Sequence, residues 1–158
     1  MDKFAMIIFG ASGDLTKRKL MPALYSLYRE KRLTGEYSIL GIGRTVYSDD
    51  NYRSYILEEL QQFVKSEEQD TALMASFVSH LYYLPMDPAK EEGYPQLRQR
   101  LVDLTGEVDP DNLLFYLATP PSLYGVVPLY LKAAGLNTAA NAFATASGIG
   151  TASGATST

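Results

Sequence analysis

The sequence has 158 residues, no cysteine, and a net charge of −4 from 14 basic and 18 acidic residues. This length allows one domain with a large core, the lack of cysteine excludes disulfides and thiolate metal sites, and the acidic balance argues against a general nucleic-acid binder. No stretch reaches the roughly 20 apolar residues of a membrane span and the amino-terminal apolar run is too short for a signal peptide, so we expect a cytoplasmic protein without membrane, nucleic-acid or metal partners.

The first predicted element is a strand over Ala5–Phe9, whose uninterrupted apolar run suits burial on both faces of a parallel sheet. Gly10 and Gly13 follow, and they allow the backbone to turn tightly close to a ligand. A helical pattern comes next, and Pro22 requires that this helix has only just begun. Strand, glycine turn and helix start together predict an anion site, because the first N–H groups of a helix lack internal partners.

Three consecutive cations lie near this helix start, where each opposes the helix dipole by roughly 0.3–1 kcal/mol. A phosphate bound in the turn would make the position of the three cations favourable. The alternative is that their side chains only extend into water. The loop lacks the full G-x-G-x-x-G spacing, and a P-loop is excluded because Asp14 and Leu15 stand where Lys and Ser or Thr are needed. The cations are Lys17, Arg18 and Lys19.

The second predicted strand, over Tyr37–Ile42, ends in Gly-Ile-Gly-Arg at Arg44. In a dinucleotide fold the residue at this position meets the adenosine ribose and selects the coenzyme. An acid would accept hydrogen bonds from the 2′-hydroxyl of NAD, whereas the planar fork of Arg44 suits a 2′-phosphate. No carboxylate follows before Asp49. We therefore predict NADP as the cofactor; the alternative is that Arg44 only caps the strand.

The residue pattern in the middle of the chain predicts helices and strands without a chemical motif. Ser48 is a predicted N-cap for a helix to Phe63, and the later elements are a short helix, a third strand and a further helix. His80, the only histidine, precedes the third strand on its amino-terminal side. Ligands gather at the carboxyl ends of parallel strands, so we do not expect His80 to be catalytic. The later elements are predicted over Leu73–Val78, Leu81–Met86 and Tyr94–Leu104.

A fourth buried strand, Asn112–Ala118, stops at Thr-Pro-Pro, and Ser122 is a predicted N-cap for a helix over Leu123–Ala134. Pro128 then demands a kink or a late helix start. Strands alternating with helices predict an α/β, Rossmann-like, doubly wound parallel sheet, incomplete with four strands in the order 3-2-1-4. A dinucleotide would lie in the crevice between strands one and four.

The longer string Gly-Ala-Ser-Gly-Asp-Leu-Thr-Lys-Arg-Lys-Leu-Met-Pro-Ala-Leu-Tyr, from Gly10 to Tyr25, resembles the coenzyme loop and first helix of glucose-6-phosphate dehydrogenases. Thr16 stands where alanine is usual. The resemblance continues over 41–53 and 112–137. It implies an oxidoreductase of glucose metabolism, in the pentose phosphate pathway, that oxidises glucose 6-phosphate at C1 with NADP, or sometimes NAD, to 6-phosphogluconolactone.

The resemblance also implies a set of coenzyme contacts. The loop would cradle the pyrophosphate, Arg44 would contact the 2′-phosphate, and Lys19 could touch both coenzyme and sugar phosphate. Tyr124 would lie beside the coenzyme, although from the residues alone it is better explained as a packing aromatic. The implied cofactor-binding residues are Gly10, Ala11, Ser12, Gly13, Asp14, Leu15, Thr16, Lys17, Lys19, Arg44, Pro120 and Tyr124.

The last segment, 138–158, has no charged residue and is rich in Ala, Thr, Ser and Gly. We predict a low-complexity tail or linker after an NADP-binding domain at 1–137, with the sheet edge next to strand four left unpaired. The family continues with a strand ending Glu-Lys-Pro-Phe-Gly and a later Asp-His-Tyr-Leu-Gly-Lys-Glu segment, and neither occurs here.

No catalytic residue can therefore be assigned in this chain. We expect the coenzyme-binding portion of a longer, homo-oligomeric dehydrogenase, either a natural truncation or a partial sequence, that binds NADP without turnover. Glucose 6-phosphate would bind through the missing domain.

Two other functions stay open. The first is an atypical short-chain reductase, although no tyrosine here has the lysine four residues later that those enzymes use. The second is a non-enzymatic NADP-sensing or assembly module that kept the nucleotide fold.

Overall fold

The fold is built on a parallel sheet whose four central strands follow the predicted order. The computed structural model describes residues 4–33, 35–136, 142–145 and 148–151, the last two stretches by their backbone. The four strands lie in the order β3-β2-β1-β4, and each neighbouring pair is parallel. The predicted Rossmann-like α/β arrangement is confirmed. Its strands are β1 (Phe4–Phe9), β2 (Tyr37–Gly43), β3 (Leu81–Pro85) and β4 (Leu113–Leu117).

The helices of the described residues lie on both faces of this sheet. The Ser48 hydroxyl accepts a hydrogen bond from the Asn51 N–H at 3.1 Å, so the predicted cap of the second helix is confirmed. Asp70 caps the third helix in the same way. The helices are α1 (Met21–Arg29), α2 (Asp49–Phe63), α3 (Thr71–Val78), α4 (Tyr94–Thr105) and α5 (Val126–Ala133).

The core has two halves separated by the sheet. Side chains alternate across a strand, so β1 sends Met6 and Ile8, with Phe4, to the half covered by α1, α2 and α3. The alternate residues of β1 lie in the half covered by α4 and α5: Ala5, Ile7 and Phe9. Both halves are closed, since Ile7 and Ile8 have no exposed surface. Burying each such side chain contributes roughly 1.5–3 kcal/mol. This two-sided burial explains the uninterrupted apolar run of β1.

The helix after β1 begins earlier than Pro22 suggested. A π-helical turn spans Thr16–Leu20 and runs directly into α1, so Pro22 lies well inside a continuous helical segment. In this turn the Met21 N–H donates to the Thr16 carbonyl, five residues back. In an ordinary α-helix a proline ring clashes with the carbonyl four residues earlier. The wider π turn relieves that clash, which is why the helix passes through a proline without ending.

The start of α5 also differs from the prediction. Ser122 is not its N-cap: the chain passes through a 3-10 turn at Pro121–Leu123, and α5 begins at Val126 after Gly125. Pro128 therefore falls in the first helical turn, where its missing N–H has no internal acceptor to lose. The late start explains how the helix accommodates the proline.

The sheet continues past the predicted four strands. The backbone of β5 (Ala142–Thr145) pairs in parallel with β4, and β6 (Gly148–Thr151) pairs antiparallel with β5. The edge of β4 is therefore paired rather than open. Composition argued against a packed side-chain core in this segment, but strand pairing needs only backbone N–H and C=O groups. The rest of the predicted tail, within 138–158, lies outside the described residues. Among the described helices, none has the length and apolar content to cross a membrane.

Candidate functional site

A cleft of about 640 Å³ opens where the carboxyl ends of the four parallel strands meet. This is the position at which ligands bind in doubly wound sheets, because the strand order reverses between β1 and β4. Its walls come from the segments that follow each strand. The lining residues are Gly10, Ser12, Gly13, Gly43, Arg44, Thr45, Asp87, Pro88, Ala89, Ala118, Thr119, Pro120, Ser122 and Leu123.

Gly10 joins β1 to the floor of the cleft. Its φ is +88°, a conformation that favours glycine, and a Cβ at this position would lie 2.3 Å from the Ala118 carbonyl oxygen. The Ala118 N–H donates to the Phe9 carbonyl at 2.8 Å, which fixes the two strand ends side by side. The N–H groups of Gly10 and Ala11 both donate to the Ile42 carbonyl. The loop is thus tied to β2 and β4 and leaves the cleft free of side-chain atoms at Gly10.

The loop closes into the helix through three further bonds. The Gly10 carbonyl accepts from the Gly13 N–H at 3.1 Å and from the buried Thr16 hydroxyl at 2.9 Å, and the Lys17 N–H donates to the Gly13 carbonyl. Among the described residues, no protein acceptor takes the N–H groups of Ser12, Asp14 and Leu15. Unpaired donors at a helix start form an anion site.

Arg44 follows β2 at the other side of the cleft, and its side chain is exposed. None of the ion pairs between described residues includes it. The Ser12 hydroxyl donates to the Thr45 hydroxyl at 3.4 Å, which links the glycine loop to the segment that carries Arg44. Within the described part of the chain, the cleft is thus lined by a guanidinium without an ion-pair partner and by two hydroxyl groups, a combination that suits a phosphate.

The structure brings only part of the predicted contact set into the cleft. Gly10, Ser12, Gly13, Arg44 and Pro120 line it. The other predicted residues lie beneath or beside it, so their predicted contacts with a coenzyme stay predictions: Ala11, Asp14, Leu15, Thr16, Lys17, Lys19 and Tyr124.

The non-lining residues have definite positions. Ala11 and Thr16 are fully buried under the loop. Asp14 pairs with Lys17 at 3.6 Å and with Arg18 at 3.4 Å, while Lys19 is exposed. Tyr124 is half-buried and packs against the half of the core under α4 and α5. The predicted packing role of Tyr124 fits this position.

Sequence reasoning missed one segment of the cleft wall, and one residue of a second segment whose Pro120 was predicted. Asp87, Pro88 and Ala89 follow β3, and the Asp87 carboxylate accepts from the Ala89 N–H at 2.9 Å. Thr119 follows β4, and its Oγ1 is buried without a hydrogen-bond partner among the described residues. The sequence could have indicated both segments, because each comes directly after a predicted strand and the carboxyl ends of parallel strands converge.

His80 lies away from the cleft, at the amino-terminal ends of the strands. Its Nδ1 is 3.2 Å from the Tyr37 carbonyl oxygen, and its ring stacks on the Tyr37 ring with centroids 4.2 Å apart. These contacts are structural.

Four tyrosines, Tyr47, Tyr52, Tyr55 and Tyr83, pack beneath the loop and are called the tyrosine cluster below. Burial raises the pKa of Tyr52 well above its usual value and that of Tyr83 to about 12. Both phenols therefore keep their protons, and remain hydrogen-bond donors, at a pH where an exposed tyrosine already ionises.

The residues present fit a dinucleotide. Among the described residues, the N–H groups of Ser12, Asp14 and Leu15 have no protein acceptor and suit a diphosphate, and the buried Thr119 hydroxyl lacks a partner that a ligand could supply. This arrangement is chemically suited to binding an anionic ligand.

Comparison with known proteins gives consistent matches. The family model described as "Glucose-6-phosphate dehydrogenase, NAD binding domain" matches residues 7–145. A glucose-6-phosphate 1-dehydrogenase of Aggregatibacter actinomycetemcomitans is 44% identical over 133 residues, which are 84% of this chain and 26% of that protein. The chain thus spans about a quarter of the length of the curated relatives it matches.

Solved structures agree. A glucose-6-phosphate dehydrogenase in complex with its substrate glucose 6-phosphate superposes with a TM-score of 0.74 at 34% identity, covering 91% of this chain and 30% of the other. The enzyme from Mycobacterium avium gives a TM-score of 0.72 at 28% identity, covering 84% and 27%.

Proposed function

The chain belongs to the glucose-6-phosphate dehydrogenase family, whose NAD-binding domain it carries, and we propose that it binds NADP as the coenzyme-binding portion of a glucose-6-phosphate 1-dehydrogenase. The observation that carries this proposal is the loop between β1 and the following helix. There the missing Cβ of Gly10 lets the ends of β1 and β4 lie close together, and the N–H groups of Ser12, Asp14 and Leu15 have no protein acceptor among the described residues.

The parts of the coenzyme would be held by different segments. The diphosphate would lie over the glycine loop, where unpaired N–H groups and the positive end of the helix favour negative charge. Arg44, with the hydroxyls of Ser12 and Thr45, would hold the 2′-phosphate. The adenine would then extend toward the Asp87–Ala89 segment, and the nicotinamide half toward Thr119 and the turn after it.

NADP is preferred to NAD in this proposal because no free acid stands at the end of β2. The first carboxylate after Arg44 is Asp49, and both of its oxygens are engaged. Asp49 Oδ1 accepts from the Tyr83 N–H at 2.9 Å, and Oδ2 pairs with Arg100. It is therefore not available to the 2′-hydroxyl of an NAD ribose, whereas Arg44 has no ion-pair partner among the described residues and could pair with a phosphate.

In the proposed reaction glucose 6-phosphate is oxidised to 6-phosphogluconolactone. When bound, NADP would supply the hydride acceptor for C1 of the sugar. The proton of the sugar hydroxyl needs a base, and the resemblance places that base in a segment absent from the printed sequence. We therefore propose that this chain binds and orients the coenzyme but does not turn over substrate by itself. Homo-oligomeric assembly of the parent enzyme and a cytoplasmic location stay predictions.

Calorimetric titration of the 158-residue chain tests this proposal. We expect saturable binding of NADP, with an affinity about tenfold or more above that for NAD, since a charge-assisted hydrogen bond contributes roughly 1.5–3 kcal/mol. Arg44→Ala should lower NADP affinity to the level of NAD. Arg32→Ala removes an exposed cation remote from the cleft and is the matched control.

Two results would contradict the proposal. Equal affinity for the two coenzymes in the unmodified chain would remove the role of Arg44. Glucose-6-phosphate-dependent absorbance at 340 nm from this chain alone would show that it carries a base of its own.

A further inference from the structure

The backbone of the cleft is held from beneath by phenol hydroxyls. Tyr52 donates to the Ala11 carbonyl at 2.9 Å, and this bond is fully buried. Tyr83 donates to the Thr45 carbonyl at 2.6 Å. A longer contact of 3.4 Å joins the Tyr55 hydroxyl to the Ser12 carbonyl. The acceptors belong to two segments only: the glycine loop, and the turn that carries Arg44.

These bonds set the direction of the neighbouring N–H groups. In a planar trans peptide the C=O and N–H bonds point in opposite directions. A phenol that holds the Ala11 carbonyl beneath the loop therefore turns the Ser12 N–H to the opposite side, where Ser12 lines the cleft. The Ser12 N–H has no protein acceptor among the described residues. In the same way, the bond to the Thr45 carbonyl fixes the Thr45–Val46 peptide, one residue after Arg44.

The phenols reach these carbonyls because β2 ends in glycines. A Cβ on Gly43 would lie 2.6 Å from the Tyr83 hydroxyl oxygen, and one on Gly41 would lie 3.2 Å from the Tyr52 hydroxyl oxygen. The two glycines therefore clear a path through the end of the strand. This gives the Gly-Ile-Gly sequence before Arg44 a structural reason.

The rings of the tyrosine cluster hold the hydroxyls in place. Tyr52 and Tyr83 pack with centroids 4.8 Å apart, and Tyr47 contacts both rings, at 5.9 Å and 5.3 Å. Neither Tyr52 nor Tyr83 is appreciably exposed. A buried hydroxyl with a good carbonyl acceptor and tightly packed neighbours has little freedom to reorient.

We propose that Tyr52 and Tyr83 are positioning residues for the coenzyme with separate tasks: Tyr52 orients the Ser12 N–H for the diphosphate, and Tyr83 fixes the Arg44–Thr45 turn for the 2′-phosphate. This inference rests on the proposed function. It assigns the two phenols no contact with the coenzyme, because they act through the backbone carbonyls they hold.

The test compares Tyr52→Phe and Tyr83→Phe, which keep the rings and remove only the hydroxyls. Tyr25→Phe is the matched control, because the Tyr25 hydroxyl donates to the Glu68 carbonyl at the same 2.9 Å, in a part of the core away from the cleft. NADP and NAD affinities of the full 158-residue chain are measured by calorimetry, and melting temperatures are recorded alongside.

We expect Tyr52→Phe to weaken NADP and NAD equally, by about three- to tenfold, the range for loss of one hydrogen bond. Tyr83→Phe should weaken NADP by a similar factor and NAD by less than about twofold, so that the ratio of the two affinities falls. Tyr25→Phe should lower the melting temperature without changing either affinity.

A purely structural role for the phenols predicts something else: lower melting temperatures in all three variants with unchanged affinities and an unchanged NADP to NAD ratio. That result would overturn the inference and leave the proposed function standing. If Tyr52→Phe does not fold, the ratio measured in Tyr83→Phe decides. Absence of nucleotide binding by the unmodified chain would overturn the proposed function and this inference together.

Discussion

At the scale of single residues, Gly10 carries the strictest requirement in the cleft, because two separate effects exclude a side chain there. Its φ of +88° is unfavourable for other residues, and a Cβ would meet the Ala118 carbonyl at 2.3 Å. Gly106 has the same φ of +88°, but a Cβ there would have no heavy atom within 4 Å. The pair therefore separates the conformational effect from the steric one.

We predict that Gly106→Ala lowers the free energy of unfolding by about 1–2 kcal/mol, the cost of a left-handed conformation. Gly10→Ala should lower it by about 1–3 kcal/mol more, because the strand ends must also move apart. Urea denaturation of both variants measures this difference. Equal losses of unfolding free energy in the two variants would contradict this prediction. They would show that the ends of β1 and β4 accommodate a Cβ without cost and that the close approach at Gly10 is unimportant.

Thr16 shows how a residue can matter to a site without lining it. The resemblance implied a coenzyme contact, which stays a prediction; the Thr16 hydroxyl is buried and donates to the Gly10 carbonyl at 2.9 Å. The unpaired Ser12 N–H and the bond from Thr16 belong to the same turn. Thr16 therefore holds the glycine turn in place from beneath.

At the scale of elements, the outer edge of β3 is protected by side chains from α2. The Asp49 carboxylate accepts from the Tyr83 N–H, and the Arg53 guanidinium donates to the Leu81 carbonyl at 2.7 Å. Arg53 also lies over the Tyr82 ring, 4.8 Å from its centroid. Edge strands with free N–H and C=O groups invite pairing with other chains. These contacts occupy the Tyr83 N–H and the Leu81 carbonyl, the groups with which a strand of another chain would pair.

We predict that Asp49→Ala lowers the free energy of unfolding by about 1–3 kcal/mol, because it leaves the Tyr83 N–H and the partly buried Arg100 without their acceptor. Asp50→Ala is the control: the neighbouring carboxylate is 92% exposed and pairs only with Arg53 among the described residues, so its loss should stay within about 0.5 kcal/mol. Denaturant melts compare the two. A similar loss of unfolding free energy in both variants would mean that the contact of Asp49 with β3 contributes nothing. The loss would then come only from removing a negative charge at the start of α2.

The sequence predicted elements where the signal is local. The apolar runs of β1 and β4 and the Ser48 cap were correctly placed because burial and capping depend on neighbours in the chain. The start of α5 was misplaced because Ser122 has the chemistry of a cap, while the two prolines before it favour a 3-10 turn.

The part of the site that could not be predicted depends on distant contacts. Tyr52 and Ala11 are 41 residues apart, and no periodicity in the sequence indicates that the hydroxyl of one holds the carbonyl of the other. The Asp87–Ala89 wall was accessible in principle, since it follows a predicted strand. The glycine loop and Arg44 were found because each combines a strand end with a residue type of specific chemistry.

At the scale of the whole molecule, buried tyrosines link stability to high pH. Burial raises the pKa of Tyr37, Tyr55 and Tyr83 to about 12, and raises those of Tyr52 and Tyr94 as well. Above pH 10 the unfolded chain loses phenol protons that the folded chain keeps, so unfolding releases protons and becomes more favourable. The stabilising contribution is therefore complete below pH 10 and is lost as the pH rises toward 12.

We predict a melting temperature that falls steeply between pH 10 and 12, together with two phases in the absorbance of tyrosinate at 295 nm. Tyr37→Phe should lessen the fall and cost little at pH 8, because the Tyr37 hydroxyl is buried without a hydrogen-bond partner among the described residues. A single absorbance phase near pH 10 in the folded protein would contradict this expectation.

The proposed binding of NADP at the carboxyl ends of the strands can be located residue by residue. An NADP titration followed by amide chemical shifts in ¹⁵N-labelled protein does so. We expect the largest changes at Ser12, Asp14 and Leu15, with further changes at Arg44, Thr45 and the turn after β4. Changes centred instead on the opposite end of the sheet, around Tyr37 and His80, would contradict the proposed site, as would a spectrum that NADP leaves unchanged.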